Sequence, residues 1–221
     1  SLLRRPFFAS YTVLEPMATV PPTLMNVLYA GIDNEISISV PGVMPQDVMA
    51  EITNGVLVKK GSMWMAKPSA VGKDAEISIS VKSGNQTMRM MSKTFRVRAL
   101  PDPTPYIEYV DANGVAKMFK GGALSKAVLM NSDGIKAAID DGILNIPFRV
   151  VSFRTVFFDS MGNAIPEVSD GDKFSSRQKE QIRRLQRGSY FYISGVRAVG
   201  PDGSEREIAV IEVRYATERC C

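Results

Sequence analysis

Apolar and polar residues alternate through much of the N-terminal half of the chain. Isoleucine and valine alternate with glutamate and serine in Asn34–Val40 and again in Ala75–Val81. Successive side chains of a strand point to opposite faces, so each segment predicts a strand with one buried and one solvated face. Turn residues separate such segments at intervals of about ten residues, which is typical of an immunoglobulin-like β-sandwich. The sole tryptophan, Trp64, is expected in or beside its core.

A glycine-bearing turn at Lys82–Thr87 predicts a β-hairpin whose second strand is Met88–Val97. In that strand the apolar positions change parity between Met90 and Phe95. An extra residue in one strand of a pair returns the later apolar positions to the buried face. A β-bulge near Met91–Lys93 is therefore predicted.

Prolines concentrated in Leu100–Pro105 mark the boundary between two predicted domains. Neither a helix nor a central strand tolerates prolines at this density. A proline-rich spacer is also stiff, and it holds its neighbours at a defined angle. We expect a β-sandwich domain at residues 1–102 and a second domain at residues 103–221.

The second half mixes strands with short helices. An Asn-Gly pair predicts a tight hairpin between Tyr106–Asp111 and Val115–Phe119. Residues 121–144, rich in alanine, leucine and isoleucine, predict one or two short helices. Ile146–Phe158 is apolar at both parities, which predicts a central strand covered on both faces.

A bounded helix and a closing hairpin are predicted next. Ser175, with Gln178 three positions later, fits a capping box, and Gly188 fits a helix-stop position. Tyr190–Val199 and Glu207–Tyr215 then predict the hairpin. The second domain is therefore predicted to be α+β, with short helices laid against an antiparallel sheet. The whole chain is predicted to be mainly β.

Five basic side chains surround a narrow apolar stripe on the predicted helix. The stripe consists of Ile182 and Leu185, which is enough to dock a helix but not to build a core. Cations near a helix C-terminus also complement the helix macrodipole. The helix is therefore open to three interpretations: a solvated surface element, a patch for a protein partner, or a contact for nucleic acid. The five basic residues are Arg177, Lys179, Arg183, Arg184 and Arg187, and the partner patch would comprise the four arginines.

Composition and motifs exclude several classes of function. Without histidine the chain has no Ser-His-Asp or Cys-His catalytic system and none of the common zinc sites. The net charge of +4, from 27 basic and 23 acidic residues, is too small to favour nucleic acid. No phosphate-binding loop occurs, and Glu35 and Glu76 alternate with apolar positions and should face solvent. We predict no enzyme, no cofactor and no metal site, although a carboxylate-dependent hydrolase stays open.

Two features concern the compartment in which the protein works. No apolar run approaches the ~20 residues that a membrane helix needs, and no signal peptide begins the chain. The adjacent cysteines, Cys220 and Cys221, would form a strained bridge with each other. They are therefore expected to be free thiols or to pair between molecules.

Four segments, taken in order, carry a family resemblance. They are VLYAGIDNEISISVPGV at residues 27–43, KGGALSKA at 120–127, FRVVSFRTVF at 148–157 and IRRLQRGSYFYISGVRAVGPDG at 182–203. Together they resemble the C-terminal periplasmic domains of the GldM/PorM proteins, which belong to the type IX secretion and gliding-motility machinery. The similarity runs from about residue 27 to residue 215, so it spans both halves of the chain.

The resemblance implies a non-enzymatic, structural role in the periplasm. The family would place an N-terminal membrane helix and further periplasmic domains ahead of this region. It implies a homodimeric rod that reaches from an inner-membrane motor subunit towards an outer-membrane ring of a lipoprotein and its partner protein. The C-terminal portion would make the distal contacts.

A function of another class stays open beside the rod. A cell-surface adhesive or carbohydrate-binding β-sandwich protein would have the same pattern of strands. It would be expected to have an exposed aromatic groove, whereas the rod predicts an extended dimer.

Overall fold

The computed structural model describes residues 15–16, 26–142 and 144–216, and it divides into two compact units between Leu100 and Pro101. Residues up to Leu100 form the N-terminal unit, and residues from Pro101 onwards form the C-terminal unit. Both units consist mainly of strands with few, short helices, which confirms the predicted fold class. Cys220 and Cys221 lie outside the described residues.

Two four-stranded sheets form the N-terminal unit. One has the strand order β1-β3-β6-β5 and the other the order β2-β8-β7-β4. Ile36 and Trp64 of the first sheet share one buried cluster with Ile77 and Phe95 of the second, as in a β-sandwich. The strands are β1 Glu15–Pro16, β2 Val27–Tyr29, β3 Asn34–Ser37, β4 Val48–Ile52, β5 Val56–Lys60, β6 Met63–Lys67, β7 Ala75–Ser83 and β8 Gln86–Arg98.

The predicted hairpin and its bulge are both present. Strand β7 pairs with β8, and the register shifts between Ile79, opposite Met91, and Ser80, opposite Arg89. Met90 is therefore the extra residue, one position before the predicted range. The bulge lets β8 direct Phe95 and Val97 into the core although Met88 has the other parity.

One larger sheet with two short helices forms the described part of the C-terminal unit. Its main path is β10-β9-β12-β13-β15-β17-β11, while β14 pairs with β13 and β16 pairs with β15. All these pairings are antiparallel except that of β11 with β17. The strands are β9 Thr104–Val110, β10 Ala116–Phe119, β11 Gly122–Leu124, β12 Lys136–Asp140, β13 Asn145–Phe158, β14 Ala164–Ser169, β15 Tyr190–Val199, β16 Glu205–Glu207 and β17 Ile211–Tyr215, and the helices are α1 Lys126–Asn131 and α2 Ser176–Arg184.

Residues 121–144 contain one helix, α1, and not a second. The later part, Lys136–Asp140, forms strand β12 between β9 and β13. Its alanines favour a helix when taken alone, but two neighbouring strands supply hydrogen bonds on both sides. Tertiary pairing therefore overrides the local preference.

The long strand β13 is central, but the prediction that both its faces are covered is wrong. Phe148 and Val150 are buried before a register shift, and Phe153 and Phe157 are buried after it, while Arg154 is exposed. A bulge in β13 at Val151 moves the buried face from one parity to the other. Phe148 and Val150 before the bulge and Phe153 and Phe157 after it thus fill one face in succession, while Phe158 stays exposed on the other.

Strand β15 contains a matching irregularity. The register with β13 shifts again between Ser152 and Arg154, where β15 has the extra residue. Gly195, within that interval, has φ of 56°, a left-handed conformation that side chains with a Cβ rarely adopt. The buried positions of β15 change parity across it, from Ile193 to Val196. The two bulges compensate each other, and one face of the sheet stays in the core.

A half-buried arginine, Arg206, fastens the start of the C-terminal unit. Arg206 donates to the Pro101 carbonyl at 2.9 Å, to the Asp102 carboxylate at 3.3 Å and to the Asp202 carboxylate at 2.9 Å. Its guanidinium lies 5.6 Å from the centre of the Phe148 ring. Planar guanidinium groups suit such combined stacking and hydrogen bonding. The proline-rich segment is therefore tied to the turn between β15 and β16.

Candidate partner-binding surface

The N-terminal end of α2 is built as the sequence predicts. The Ser175 hydroxyl accepts from the Gln178 backbone N–H at 3.2 Å, and the Gln178 side chain accepts from the Ser175 N–H at 2.9 Å. This is the predicted capping box. Gln178 is fully buried, and its amide nitrogen also donates to the Glu167 carbonyl of β14 at 3.0 Å. The helix is thereby fixed to the edge of the sheet.

Lys179 is a structural cation. Its ammonium donates to the carbonyls of Leu129 at 3.2 Å and Met130 at 2.8 Å, and also to that of Ser132. These carbonyls lie at the C-terminal end of α1, where helix carbonyls lack intrahelical partners. Burial lowers the pKa of the Lys179 side chain, and Asp133 opposes that effect. Lys179 therefore joins the two helices and is not part of the exposed basic patch.

The helix ends earlier than predicted. Its last residue is Arg184, and Leu185 already has extended backbone angles. Gly188 lies in the following turn, where its N–H donates to the Tyr215 carbonyl of β17 at 2.9 Å. This hydrogen bond to β17 fixes the turn through which the chain enters β15. Arg187 consequently lies beyond the helix and not on it.

The four arginines of the predicted patch are exposed but differ in their partners. Arg183 and Arg184 both pair with Glu180, the latter at 2.9 Å. Arg177 lies 4.0 Å from Glu167, and Arg187 forms no salt bridge among the described residues. Exposed pairs of this kind contribute about 0–1 kcal/mol to stability. Two glutamates among four arginines leave a positive surface, and no further ion pair among the described residues uses that surplus.

A groove of about 650 Å³ borders the C-terminal end of this helix. Its walls come from α2, from the turn between β13 and β14, and from the start of β15. The apolar side chains that line it are Phe157, Phe158, Ile165, Leu185 and Tyr190. Arg184 of the predicted patch lines the same groove. The structure thus brings one of the predicted residues into a concave site.

Large exposed apolar residues concentrate here. Ile165 is 38% exposed and Tyr190 is 44% exposed. The Phe158 ring, also exposed, lies 5.5 Å from the Tyr190 ring and 6.1 Å from the Tyr192 ring. Exposed apolar patches beside polar residues mark interaction sites. Within strand β15 the structure buries Phe191 but leaves Tyr190 exposed.

Gln181 adds an unpaired polar atom to the groove. Its side-chain oxygen is buried, and it has no hydrogen-bond donor among the described residues. Leaving such an acceptor unpaired costs about 1–3 kcal/mol, so native structures rarely contain one without a reason. Sequence reasoning missed Gln181, because a glutamine on a surface helix carries no signal of its surroundings.

The acidic residue of the groove is already satisfied within its own turn. The Asp159 carboxylate accepts from the Asn163 side chain at 2.9 Å and from the Asn163 and Met161 backbone N–H groups. These hydrogen bonds, the Asn163 side chain first, lower the pKa of the Asp159 carboxyl. Asp159 therefore has the role that aspartate commonly has in turns. Within the described residues no group of three or more acidic or thiol side chains could hold a metal ion.

The two β-rich units, each with its own sheets, define the chain as a multidomain, mainly β protein. Two sequence models of one family match the chain in order. The model described as the GldM third domain matches residues 17–98, and the GldM C-terminal domain matches residues 101–216. The chain therefore belongs to the GldM family, which confirms the predicted resemblance.

The family places the chain in a known class of cellular machinery. GldM proteins are structural components of gliding motility and type IX secretion, and they have periplasmic domains. No curated protein matches the chain. Among the described residues, no helix has the length and apolar character to span a membrane.

Proposed function

We propose that the chain is the C-terminal periplasmic part of a homodimeric rod that links an inner-membrane motor to an outer-membrane ring. The observation that carries the proposal is the ordered match of two consecutive GldM domains across the chain. On this proposal the protein is non-enzymatic and needs no cofactor. An N-terminal membrane helix of the full-length protein would anchor it in the inner membrane and reach the motor subunit.

The C-terminal unit is proposed to contact the ring lipoprotein and its partner protein. The support comes from Arg177, Arg183, Arg184 and Arg187, an exposed set with a positive surplus that the fold does not use. Arginine is enriched at protein interfaces, because its fork of donors binds carboxylates in defined geometry. Rim charges of this kind chiefly affect the rate and specificity of association.

Capture of the ring components by the purified 221-residue chain tests the contact. Reversal of Arg183 and Arg184 to glutamate should weaken capture about tenfold, and more at low salt, because both charges are exposed and screened by ions. Reversal of Arg197 and Arg214 is the matched control, since both are arginines of the same unit paired with glutamate. If the wild-type chain captures neither ring component, the proposed contact is wrong.

Sedimentation and small-angle scattering test the dimeric rod. An extended dimer is expected, and a compact monomer at all concentrations would contradict it. The adhesive or carbohydrate-binding alternative is favoured by the exposed rings of Phe158 and Tyr190 and the half-buried ring of Tyr192. These rings meet at interplanar angles of 51° to 84°, so they form no flat platform for a sugar. Binding of glycans by the monomer would support that alternative.

A further inference from the structure

We propose that the groove beside α2 binds an extended peptide segment of a partner protein, in which a large apolar side chain lies next to an acidic residue. This deepens, and rests on, the function proposed above, because it assigns a recognition mode to the same unit. The groove of about 650 Å³ is large enough for a few side chains. Three features of its walls select the occupant.

The apolar part of the groove selects the large side chain. Phe157, Ile165 and Leu185 line the groove, with Ile165 38% exposed. Tyr190 stands at its edge and is 44% exposed. Covering such surfaces contributes about 25 cal/mol for each Å² of apolar area removed from water. An aromatic or branched aliphatic side chain would gain most from this site.

The unpaired oxygen of Gln181 favours an occupant that offers a backbone N–H. Gln181 belongs to the lining of the groove, and its side-chain oxygen is buried and has no donor among the described residues. The terminal torsion of a glutamine amide has a broad energy minimum, so the amide can turn to meet a donor that enters the groove. Every residue of an extended segment except proline carries an N–H that can pair with it.

The charge beside the groove favours an acidic residue next to the large apolar side chain of the peptide. Arg184 lines the groove with a side chain that is 78% exposed, and Arg187 follows in the next turn. Asp159, the acidic residue of the lining, keeps its negative charge and accepts three hydrogen bonds from its own turn. At this end of α2, however, Arg183, Arg184 and Arg187 outnumber the acidic residues Asp159 and Glu180. The rim of the groove therefore favours a carboxylate over a cation, and arginine binds carboxylates in a fixed geometry.

The adjacent sheet edge excludes a different mode, the addition of a strand. Strand β14 forms this edge, but Pro166 has no N–H to offer. The next carbonyl, that of Glu167, already accepts from Gln178 of α2. A bound segment is therefore held by the groove and not by continuous pairing with β14.

Selection from a random dodecapeptide library, displayed on phage, on the immobilised 221-residue chain identifies the preferred segment. Peptides enriched in an aromatic or aliphatic residue beside aspartate or glutamate are expected. Ile165→Asp should weaken the binding of a selected synthetic peptide at least about tenfold, since it places a charge in the apolar part of the groove. Fluorescence anisotropy of the labelled peptide measures the change.

Val168→Asp is the matched control. Val168 lies on the same strand three positions later, so it faces the other side, and it is 60% exposed. It should change the affinity less than about twofold. Arg184→Glu, at a side chain 78% exposed, gives an independent test if Ile165→Asp fails to fold, and should weaken the peptide about threefold to tenfold.

The outcomes separate this inference from the proposed function. The proposal that the groove binds a peptide would be wrong if the library yielded no peptide. It would also be wrong if the selected peptides bound Ile165→Asp and Arg184→Glu as tightly as wild type. If the chain self-associates and only Ile165→Asp abolishes the self-association, the groove binds a second copy of the chain. The proposal of a partner peptide would then be wrong. If both variants still captured the ring components, the proposed function would be retained, and the groove would not be the site of that contact.

Discussion

The two sides of helix α2 differ in how completely the fold uses them. On one side Gln178 and Ile182 are fully buried, and Lys179 donates to three carbonyls at the end of α1. On the other side Arg184 is exposed and Gln181 has an oxygen without a donor. Packing and hydrogen bonding within the fold explain the residues of the first side only. The helix therefore combines a side that the fold requires with an exposed side that the fold does not require.

The largest effect should follow loss of the apolar anchor. Ile182 is fully buried, so Ile182→Ala removes buried methyl groups and leaves a cavity that costs about 3 kcal/mol. Urea unfolding followed by far-ultraviolet circular dichroism measures the free energy of unfolding. Val168→Ala, at an exposed position, should change it by less than about 0.5 kcal/mol. Equal effects of the two substitutions would remove the distinction between the sides.

Two glutamines one turn apart sharpen the comparison. Gln178→Ala should destabilise the protein by about 2 kcal/mol, because it leaves the Glu167 carbonyl and the Ser175 N–H without this buried side chain. Gln181→Ala should leave the stability unchanged or raise it by up to about 2 kcal/mol, since it removes a buried oxygen that has no donor among the described residues. The same unfolding measurement serves both. A Gln181→Ala loss as large as that of Gln178→Ala would mean that the groove side is structural as well.

The helix cap should contribute less than the buried glutamine. Ser175→Ala removes the hydroxyl that accepts from the Gln178 N–H, at a cost of about 1 kcal/mol. Ser175→Asp keeps an acceptor at the same place and should retain most of the stability. Hydrogen exchange at the first turn of α2, monitored by mass spectrometry, should rise in the alanine variant only.

The smallest expected effect is a dependence on pH. Burial lowers the pKa of Lys179 below its ordinary 10.5, so the folded chain loses this proton before the unfolded chain does. The contribution of Lys179 to stability therefore rises as pH increases towards 10.5. The free energy difference between wild type and Lys179→Met, measured from about pH 8 to about pH 11, should show this rise.

Lys136 provides the control with the opposite sign. Its hydrogen bond to Glu108 raises the pKa of its ammonium above 10.5. Its contribution is complete below the ordinary value and is lost as pH rises through the raised one. The difference between wild type and Lys136→Met should therefore decrease over the same range. Identical slopes for both lysines would contradict the assigned environments.

Local patterns in the sequence were sufficient for elements whose partners lie nearby in the chain. The capping box follows from Ser175 and Gln178 alone, and the hairpin of β7 and β8 follows from its turn. Lys136–Asp140 lies in residues 121–144, for which one or two short helices were predicted. The local sequence could not show that this segment pairs with β9 and β13. Local propensity is a weak guide where two neighbouring strands supply the hydrogen bonds.

The groove could not be predicted, because its walls meet only in the folded chain. Ile165, Gln181 and Tyr190 belong to three elements, and none of them has a motif. The exposed arginines were identified from charge alone, and their role in partner binding stays a prediction. Charge density is visible in a sequence, whereas concavity and an unpaired buried oxygen are properties of the assembled structure.

The paired bulges at Val151 and Gly195 limit how this sheet can change over evolutionary time. Deleting Val151 alone would leave Phe153 in the core and Arg154 in water, because Val150, Ser152 and Phe153 would then alternate regularly. A single deletion after Ser152 would instead reverse the faces of the rest of β13. Indels in these two strands are therefore tolerated at the bulges or at the ends of the strands. The Phe158 and Tyr190 end of the sheet inherits a constant spacing from that constraint, while its surface chemistry is left free to diverge.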